Sequence, residues 1–283
     1  MNTSSQPGVA ADKAPRPAFV TSTAEYWESR LSEKWGLEGV GNIGLGVAYN
    51  RWQYKQRKCV FLRELKRLPL PTKDASVLDV GSGVGFWLSV WTELGVKSLT
   101  GVDITGVAIQ NLKKLYPDTR LLQLDISAPV AREVLPGTFD AVTAMDVLSH
   151  ITSEACFASA IANISNSLRT GGYFVFSENL PHKEKDTNFN SIQANRTLEA
   201  VERELGRNGL RIVQRTPIFV VMMLPLDTAT DLPRKLWRLM MTPVYFFPKL
   251  GGLFGAALYG VDSVLSRVVS EGPATELVIC QKV

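Results

Sequence analysis

The sequence predicts an α/β fold in which helices cover both faces of a doubly wound, mostly parallel sheet. Strand and helix patterns alternate from residue 77 onward, seven apolar strand segments are present, and a glycine-spaced turn joins the first strand to a helix. With 283 residues and 45% hydrophobic content, the chain can bury a core of this size without disulfides or metals.

The strand segments are short and apolar, and helices are predicted in the intervals between them. They lie at residues 77–80, 98–103, 120–124, 139–145, 173–177, 211–221 and 276–280. The helix after the fourth strand is expected to end at Gly171 and Gly172. A later helix over residues 194–205 is expected to end at Gly209, because glycine readily adopts the left-handed conformation found there.

Two helices are predicted ahead of the sheet, over residues 24–31 and 47–68, and we assign residues 24–71 to an N-terminal helical cap. A buried stripe on the second helix is predicted at Trp52, Cys59, Leu62, Leu65 and Leu68. Seven basic residues lie between Arg51 and Pro69 against Glu64 alone, and we interpret them as a solvated face. Residues 1–23 lack a signal-peptide pattern and are predicted to be a disordered tail.

We assign residues 72–283 to the main domain, with an insertion at about 222–271 before the last strand. Aromatic and methionine residues there lie among breaking prolines. Two interpretations stay open: a subdomain packed on the sheet or on a second subunit, or a lid or membrane-surface patch. Its uncharged stretches are shorter than the ~18 residues of a spanning helix, so no transmembrane segment is predicted, while peripheral membrane contact stays open.

The glycine turn is the most informative stretch of the chain. Asp79, Gly81, Gly83 and Gly85 form the pattern D-x-G-x-G-x-G, and Phe86 stands where a dinucleotide fingerprint would have its third glycine. The pattern resembles motif I of the class I S-adenosylmethionine-dependent methyltransferases. This resemblance covers residues 76–180 by motifs and 211–283 by pattern alone.

The resemblance implies a Rossmann-like methyltransferase fold with a seven-stranded sheet, and S-adenosylmethionine as the cofactor. Asp103 ends the second strand 18 residues beyond Gly85, where an acid can accept hydrogen bonds from both ribose hydroxyls. By the same resemblance Asp125 would accept from the adenine amino group. The cofactor-binding residues are predicted to be Asp79, Gly81, Ser82, Gly83, Asp103, Ile104, Asp125, Ile126 and Met145.

A general base is needed only if the methyl acceptor is a hydroxyl or an activated carbon. The candidates are His150, His182 and Glu178, which follow strand ends on the cofactor side. His150 is our predicted catalytic residue, and it lies in a segment, residues 145–151, that resembles the family's D-V-L-x-H-I. The family carries a histidine there whatever the substrate, so a structural role for His150 stays open.

The remaining composition narrows the class of protein. Three scattered cysteines and two histidines favour neither a disulfide framework nor a zinc site, and a reducing cytoplasm fits best. We expect a methyltransferase that acts on an oxygen, nitrogen or carbon atom of a small-molecule or lipid-like metabolite, with no nucleic-acid partner. A catalytically silent cofactor-binding or scaffolding protein is the chief alternative, and a nicotinamide oxidoreductase a third. The oligomeric state is open.

Overall fold

The computed structural model describes residues 22–129, 134–184 and 191–283. Most of the predicted disordered tail therefore lies outside the described residues, and that prediction stays untested. The part that is described belongs to a helix, because Ser22 caps helix α1 (Thr23–Glu33) through a capping box with Glu25. The division into a cap and a main domain likewise stays a prediction.

Within the described residues, seven strands form one sheet in the order β3-β2-β1-β4-β5-β7-β6. They are β1 (Ser76–Val80), β2 (Ser98–Asp103), β3 (Arg120–Gln123), β4 (Phe139–Met145), β5 (Leu168–Asn179), β6 (Leu210–Pro217) and β7 (Thr275–Lys282). The pairs among β1 to β5 are parallel, and β7 runs antiparallel to both β5 and β6. The predicted α/β class and mostly parallel seven-stranded sheet are confirmed.

Helices lie on both faces of this sheet and bury one apolar cluster on each side. One face is covered by α3 (Gly46–Leu65), α4 (Phe86–Glu93) and α5 (Gly106–Leu115), and the other by α6 (Glu154–Ser167) and α7 (Leu198–Arg207). The short helix α2 (Leu37–Val40) and a 3-10 turn (Ile43–Leu45) connect α1 to α3. Because an apolar core lies on each face of one sheet, the arrangement is doubly wound.

Crossover direction changes between β1 and β4, which are neighbours in the sheet although β2 and β3 lie between them in the chain. At such a switch point the helices diverge and leave a crevice outside the carboxyl ends of the strands. The glycine turn follows β1, and Met145 ends β4. The topology therefore brings the segments singled out in the sequence to one edge of the sheet.

Several predicted boundaries differ from the structure; the strand predicted over residues 211–221, for example, is β6 (Leu210–Pro217). Gly171 and Gly172 do not end helix α6, which stops at Ser167; they lie inside β5, where Gly171 adopts a φ of 76°. The following helix α7 begins at Leu198 rather than Ala194, because Thr197 caps it by accepting from the Ala200 amide. Gly209 does follow this helix with a φ of 68°, as predicted.

The buried stripe predicted on α3 is confirmed only in part: Leu65 is buried, and Trp52 and Leu68 pack against the core and are partly buried. Cys59 is exposed and Leu62 only partly buried, whereas Gln53, Gln56 and Arg57 are buried. One side of α3 packs on the sheet core, and the other contacts a helix of the insertion. A helix packed on both sides has no single apolar stripe from which its burial could be predicted.

The insertion before β7 is helical, as predicted. It contains α8 (Leu232–Phe246), a 3-10 turn (Pro248–Leu250) and α9 (Gly251–Val268). In the described part of the chain, no one helix has both the length and the apolar composition to cross a membrane. The segments 232–246 and 248–268 meet that test only as a pair, and the pair is bent by 112°.

Asp262 of α9 holds the insertion to the segment after β6. Its carboxylate is fully buried and accepts hydrogen bonds from three consecutive backbone amides, those of Val220, Val221 and Met222, at 2.9–3.2 Å. The Met222 carbonyl in turn accepts from the Tyr49 hydroxyl of α3 at 2.7 Å. The loop is therefore fixed between α3 and α9 by polar contacts.

We expect Asp262→Ala to lower the free energy of unfolding by about 3 kcal/mol or more, because three buried amides would lose a charged acceptor. Urea unfolding followed by circular dichroism measures this change. The matched control is Asp231→Ala, since Asp231 is exposed and pairs with Arg234 at the surface, and its effect should stay within about 0.5 kcal/mol. Equal effects of the two substitutions would contradict the role given to Asp262.

Candidate cofactor and active site

A cavity of about 360 Å³ opens at the carboxyl ends of β1, β2 and β4. The predicted residues that line it are Gly81, Ser82, Gly83, Asp103, Ile104, Asp125, Ile126, Met145 and His150. The described residues of the insertion do not line the cavity, so in this conformation the insertion is not its lid. Nine of the ten residues predicted to bind the cofactor or to act in catalysis thus line the same cavity.

The glycine turn forms the floor of this cavity with backbone angles that other residues rarely adopt. Gly81, Gly83 and Gly85 have φ values of 68°, 51° and 83°. A β-carbon on Gly81 would lie 2.5 Å from a methyl carbon of Val147, and one on Gly83 would lie 3.2 Å from a methyl carbon of Val40. The absence of side chains is therefore what lets the main chain face the cavity.

Asp103 connects the end of β2 to the glycine turn. One carboxylate oxygen accepts from the Gly83 amide at 2.8 Å, and the other accepts from the Thr105 amide and hydroxyl at 2.9 and 2.6 Å. Burial raises the pKa of this carboxyl, and the bonds to Thr105 and Gly83 oppose that rise. Because Asp103 lines the cavity, its remaining lone pairs are available to a hydroxyl placed there.

Asp125 lies just beyond β3, at the exposed rim of the cavity. One of its carboxylate oxygens accepts from the Ser127 amide at 2.8 Å and from the Ser127 hydroxyl at 2.7 Å. This short turn fixes the carboxylate and places Ile126 inside, where only 5% of its surface is exposed. At this end of the cavity the Asp125 carboxylate, a hydrogen-bond acceptor, therefore lies next to the apolar side chain of Ile126.

Asp79 is the predicted residue that does not line the cavity. It points into the core beneath the turn and accepts from the Thr143 hydroxyl at 2.6 Å, while its other carboxylate oxygen is buried without a hydrogen-bond partner. Burial raises the pKa of Asp79 to about 7. Asp79 thus supports the turn from below.

His150 lies in the 3-10 turn Leu148–His150 after β4 and lines the cavity. Its Nδ1 lies 2.8 Å from the Ile192 carbonyl oxygen. The ring of Trp27 from α1 packs against the imidazole in an edge-to-face arrangement, with 4.9 Å between the ring centroids. A carbonyl oxygen only accepts, so Nδ1 carries the proton and Nε2 of the neutral ring keeps its lone pair. Burial lowers the pKa of His150 below 6.5, which favours this neutral form.

The other two candidate bases lie elsewhere. His182 is exposed and binds Asp227 and Glu271, and the hydrogen bond that its Nδ1 donates to Asp227 raises the pKa of His182. Glu178 is buried against Ser149, whose amide donates to it at 2.8 Å, and burial raises its pKa to about 8. Neither residue lines the cavity.

An ion pair missed in the sequence joins the cap to the loop that carries His150. Arg57 of α3 lies 2.8 Å from the Asp146 carboxylate through Nη2, and its guanidinium stacks between the rings of Tyr54 and Phe219. Asp146 has a positive φ of 58°, which is uncommon for a residue with a side chain. Arg57 was assigned to a solvated face, but its side chain is only 8% exposed.

Helix α1 covers the cavity and is tied down by a second missed residue. Ser22, Trp27 and Leu31 line the cavity from this helix. Glu28 accepts from the amides of Gly106 and Val107 at 2.7 and 3.1 Å, at the N-terminus of α5. A carboxylate is favoured there because the first amides of a helix have no partner within it.

The chain is similar in sequence to curated methyltransferases. An O-methyltransferase of ubiquinone biosynthesis from Albidiferax ferrireducens is 30% identical over 112 residues, which are 38% of this chain and 42% of that protein. The one from Bordetella bronchiseptica is 27% identical over 177 residues, 62% and 64% of the two chains. The chain therefore spans about half the length of the curated relatives it matches.

Solved structures of methyltransferases share the fold at low sequence identity. The N-methyltransferase NodS from Bradyrhizobium japonicum WM9 aligns with a TM-score of 0.51 and 15% identity, over 92% of this chain and 98% of that one. An S-adenosylmethionine-dependent methyltransferase from Clostridium acetobutylicum ATCC 824 also gives 0.51, with 13% identity over 81% and 91%. These likenesses concern the fold alone.

The family model described as "methyltransferase domain" matches residues 52–214, which is more than half of the chain. The matched stretch contains the glycine turn, Asp103, Asp125 and His150. The prediction made from D-x-G-x-G-x-G is thereby confirmed, and the nicotinamide alternative is set aside. The chain belongs to the methyltransferase domain family, with the fold and cofactor class of the S-adenosylmethionine-dependent methyltransferases.

Proposed function

We propose that this protein transfers a methyl group from S-adenosylmethionine to an oxygen atom of a small, apolar, hydroxyl-bearing molecule. The observation that carries the proposal is the neutral His150, which lines the cavity with Nδ1 bound to the Ile192 carbonyl and Nε2 able to accept a proton. A general base is required for a hydroxyl acceptor, whereas a neutral amine can attack without one. His150 therefore favours a hydroxyl or an activated carbon over an amine, and the similar proteins named O-methyltransferases favour oxygen between these two.

The donor and acceptor groups of the cavity fit the proposed cofactor. The cradle of Gly81 and Gly83 leaves main chain open to a ligand, and a β-carbon would narrow it. Asp103 offers carboxylate oxygens to ribose hydroxyls, and Asp125 offers the same to an exocyclic amino group. We assign Ser82, Ile104, Ile126 and Met145 to the surrounding contacts. Asp79 acts through the turn that it supports.

The apolar lining supports an apolar acceptor. Trp27, Leu31, Tyr54, Phe86 and Trp87 all face the cavity, from α1, α3 and the start of α4. Pockets lined this way bind apolar ligands and orient them with few polar groups. The similar proteins named ubiquinone biosynthesis O-methyltransferases support the same atom type and an apolar acceptor class.

In this mechanism the protein positions the acceptor and removes its proton. When bound, S-adenosylmethionine supplies a methyl group activated by a sulfonium charge. The Ile192 carbonyl fixes the tautomer of His150, so Nε2 accepts the proton from the acceptor hydroxyl as the new bond to oxygen forms. Helix α1, held by Glu28, covers the cavity and limits water there.

Transfer of labelled methyl groups tests the proposal directly. Apolar phenols and the matching anilines are incubated with the purified protein and methyl-labelled S-adenosylmethionine, and we expect product from the phenols. Cofactor binding without transfer to either series would favour the silent cofactor-binding alternative.

We also propose a cytoplasmic location, which the three free cysteines support.

Asp103→Ala should weaken binding of S-adenosylhomocysteine by about 1.5–3 kcal/mol, which is the usual loss for hydrogen bonds to a charged group. Titration calorimetry measures the affinity, and Asp103→Asn separates the loss of charge from the loss of volume. Asp118→Ala is the matched control, since Asp118 lies in the exposed turn between α5 and β3. Unchanged affinity in both Asp103 variants would remove this residue from the site.

Gly83→Val should abolish binding of S-adenosylhomocysteine, because a β-branched side chain resists a φ of 51° and its β-carbon would lie 3.2 Å from Val40. Gly206→Ala is the control, since a β-carbon there meets no atom within 4 Å. Circular dichroism establishes that both variants fold. A folded Gly83→Val protein that still binds would show that the turn does not hold the cofactor.

His150→Asn should lower kcat by about 10²–10⁴-fold and leave the affinity for S-adenosylhomocysteine unchanged, because asparagine can still donate to Ile192 but cannot act as a base. Since burial lowers the pKa of His150 below 6.5, wild-type activity should be constant near pH 7 and fall at lower pH as the ring becomes protonated. His182→Asn is the control outside the cavity. A kcat equal to that of the wild type would leave His150 with a structural role.

A further inference from the structure

Helix α8 is apolar on two opposite faces, of which the protein covers one. Trp237, Met241 and Val244 are buried against Leu45 and Tyr49. The other side carries four exposed apolar residues, namely Leu232, Leu236, Leu239 and Phe246. Leu239 is 71% exposed and Phe246 is 75% exposed. A helix on the surface of a soluble protein normally has polar residues on its outer face.

Helix α9 buries small and polar residues most completely. Gly251, Gly255, Asp262 and Ser266 are buried, while Phe254, Leu258 and Tyr259 pack against the protein and are only partly buried. Gly255 lets the helix approach the Trp52 ring of α3 closely, since a β-carbon there would lie 2.6 Å from the ring. Close packing through small residues, with apolar residues outward, is typical of helices that contact lipid.

The outward face of α9 is apolar along its length. Leu253, Val261, Val264 and Val268 are exposed, Leu253 to 70%. Phe247 and Leu250 at the junction of the helices are exposed as well. We call the exposed apolar residues of segment 232–268 the outer surface. It is larger than the scattered single residues that folded proteins usually expose.

The charges around the outer surface are mainly basic, and the exposed acid that precedes α8, Asp231, pairs with Arg234. Segment 232–268 contains Arg234, Lys235, Arg238, Lys249 and Arg267, and its single acidic residue is the buried Asp262. Lys235, Arg238 and Lys249 are exposed. An apolar surface bordered by basic residues matches an anionic lipid surface, where side chains enter the headgroup region and basic groups meet phosphates.

We propose that the outer surface binds the interface of an anionic phospholipid membrane. Each helix keeps its inner face packed on the protein, so the pair lies on the membrane rather than crossing it. The occupant is a bilayer, because the exposed charges within segment 232–268 are all basic and complement anionic headgroups. This contact is independent of which acceptor the cavity holds.

Sedimentation with lipid vesicles tests the proposal on the full chain. The protein is mixed with vesicles of phosphatidylcholine alone and with vesicles in which part of it is replaced by phosphatidylglycerol. We expect it to sediment with the anionic vesicles, and less as salt is added, because screening weakens the attraction. Lack of sedimentation with anionic vesicles at low salt, or equal sedimentation with both kinds, would overturn the proposal.

Two sets of variants separate the charged from the apolar contribution. Replacing Lys235, Arg238 and Lys249 by glutamine should lower the partition coefficient by about a hundredfold, or roughly fivefold for each charge. Phe246→Asp should lower it at least about tenfold. The matched controls on α5 are Lys113→Gln with Lys114→Gln, and Leu115→Asp, all at exposed positions.

Unfolding midpoints in urea establish that each variant folds, so a lost interaction with vesicles is not a lost fold. Variants that bind vesicles as well as the wild type would overturn the proposal. So would a concentration-dependent dimer, seen by sedimentation velocity without lipid and abolished by Phe246→Asp, because a second copy would then cover the outer surface. Affinity for S-adenosylhomocysteine should be unchanged in all variants, since the outer surface does not line the cavity.

Discussion

The cavity depends on one constraint, the change of crossover direction between β1 and β4. Because helices diverge at that point, the carboxyl ends of three strands are left uncovered and face one space. Asp103 then joins two of these ends, since its carboxylate holds the Gly83 amide after β1 and Thr105 after β2. The turn and the acid are therefore positioned as a unit, and a change in either one moves the other.

Helix α3 is the second organising element, and it works through buried polar side chains. Arg57 binds the loop that leads to His150, while Tyr49 and Gln56 bind carbonyl oxygens at the start of the insertion. Such contacts are directional, so they fix the relative positions of α3, the loop that carries His150 and the insertion more tightly than apolar packing alone. Helix α3 therefore contacts both regions: Arg57 binds the loop beside the cavity, and Tyr49 binds the insertion that carries the outer surface.

The sequence by itself determined the family, the alternation of strands and helices, and most of the cavity. These features are local: glycine spacing sets the turn, an acid at a strand end marks the site, and apolar runs mark strands. Asp103, Asp125 and His150 could be placed because parallel strands end at one edge of the sheet. The register and the length of a strand depend on its neighbours in the sheet. The sequence therefore predicts a helix stop at Gly171, whereas in the structure Gly171 lies in β5.

Only the tertiary structure decided which polar residues are buried and what they touch. Arg57 and Glu28 look like surface charges in the sequence, yet each binds a partner 78 or more positions away. The tautomer of His150 depends on the Ile192 carbonyl, 42 positions along the chain. The apolar residues of the insertion could be assigned to a core or to a surface only when the two faces of each helix were known. Burial depends on what packs against a segment, and a chain fragment does not carry that information.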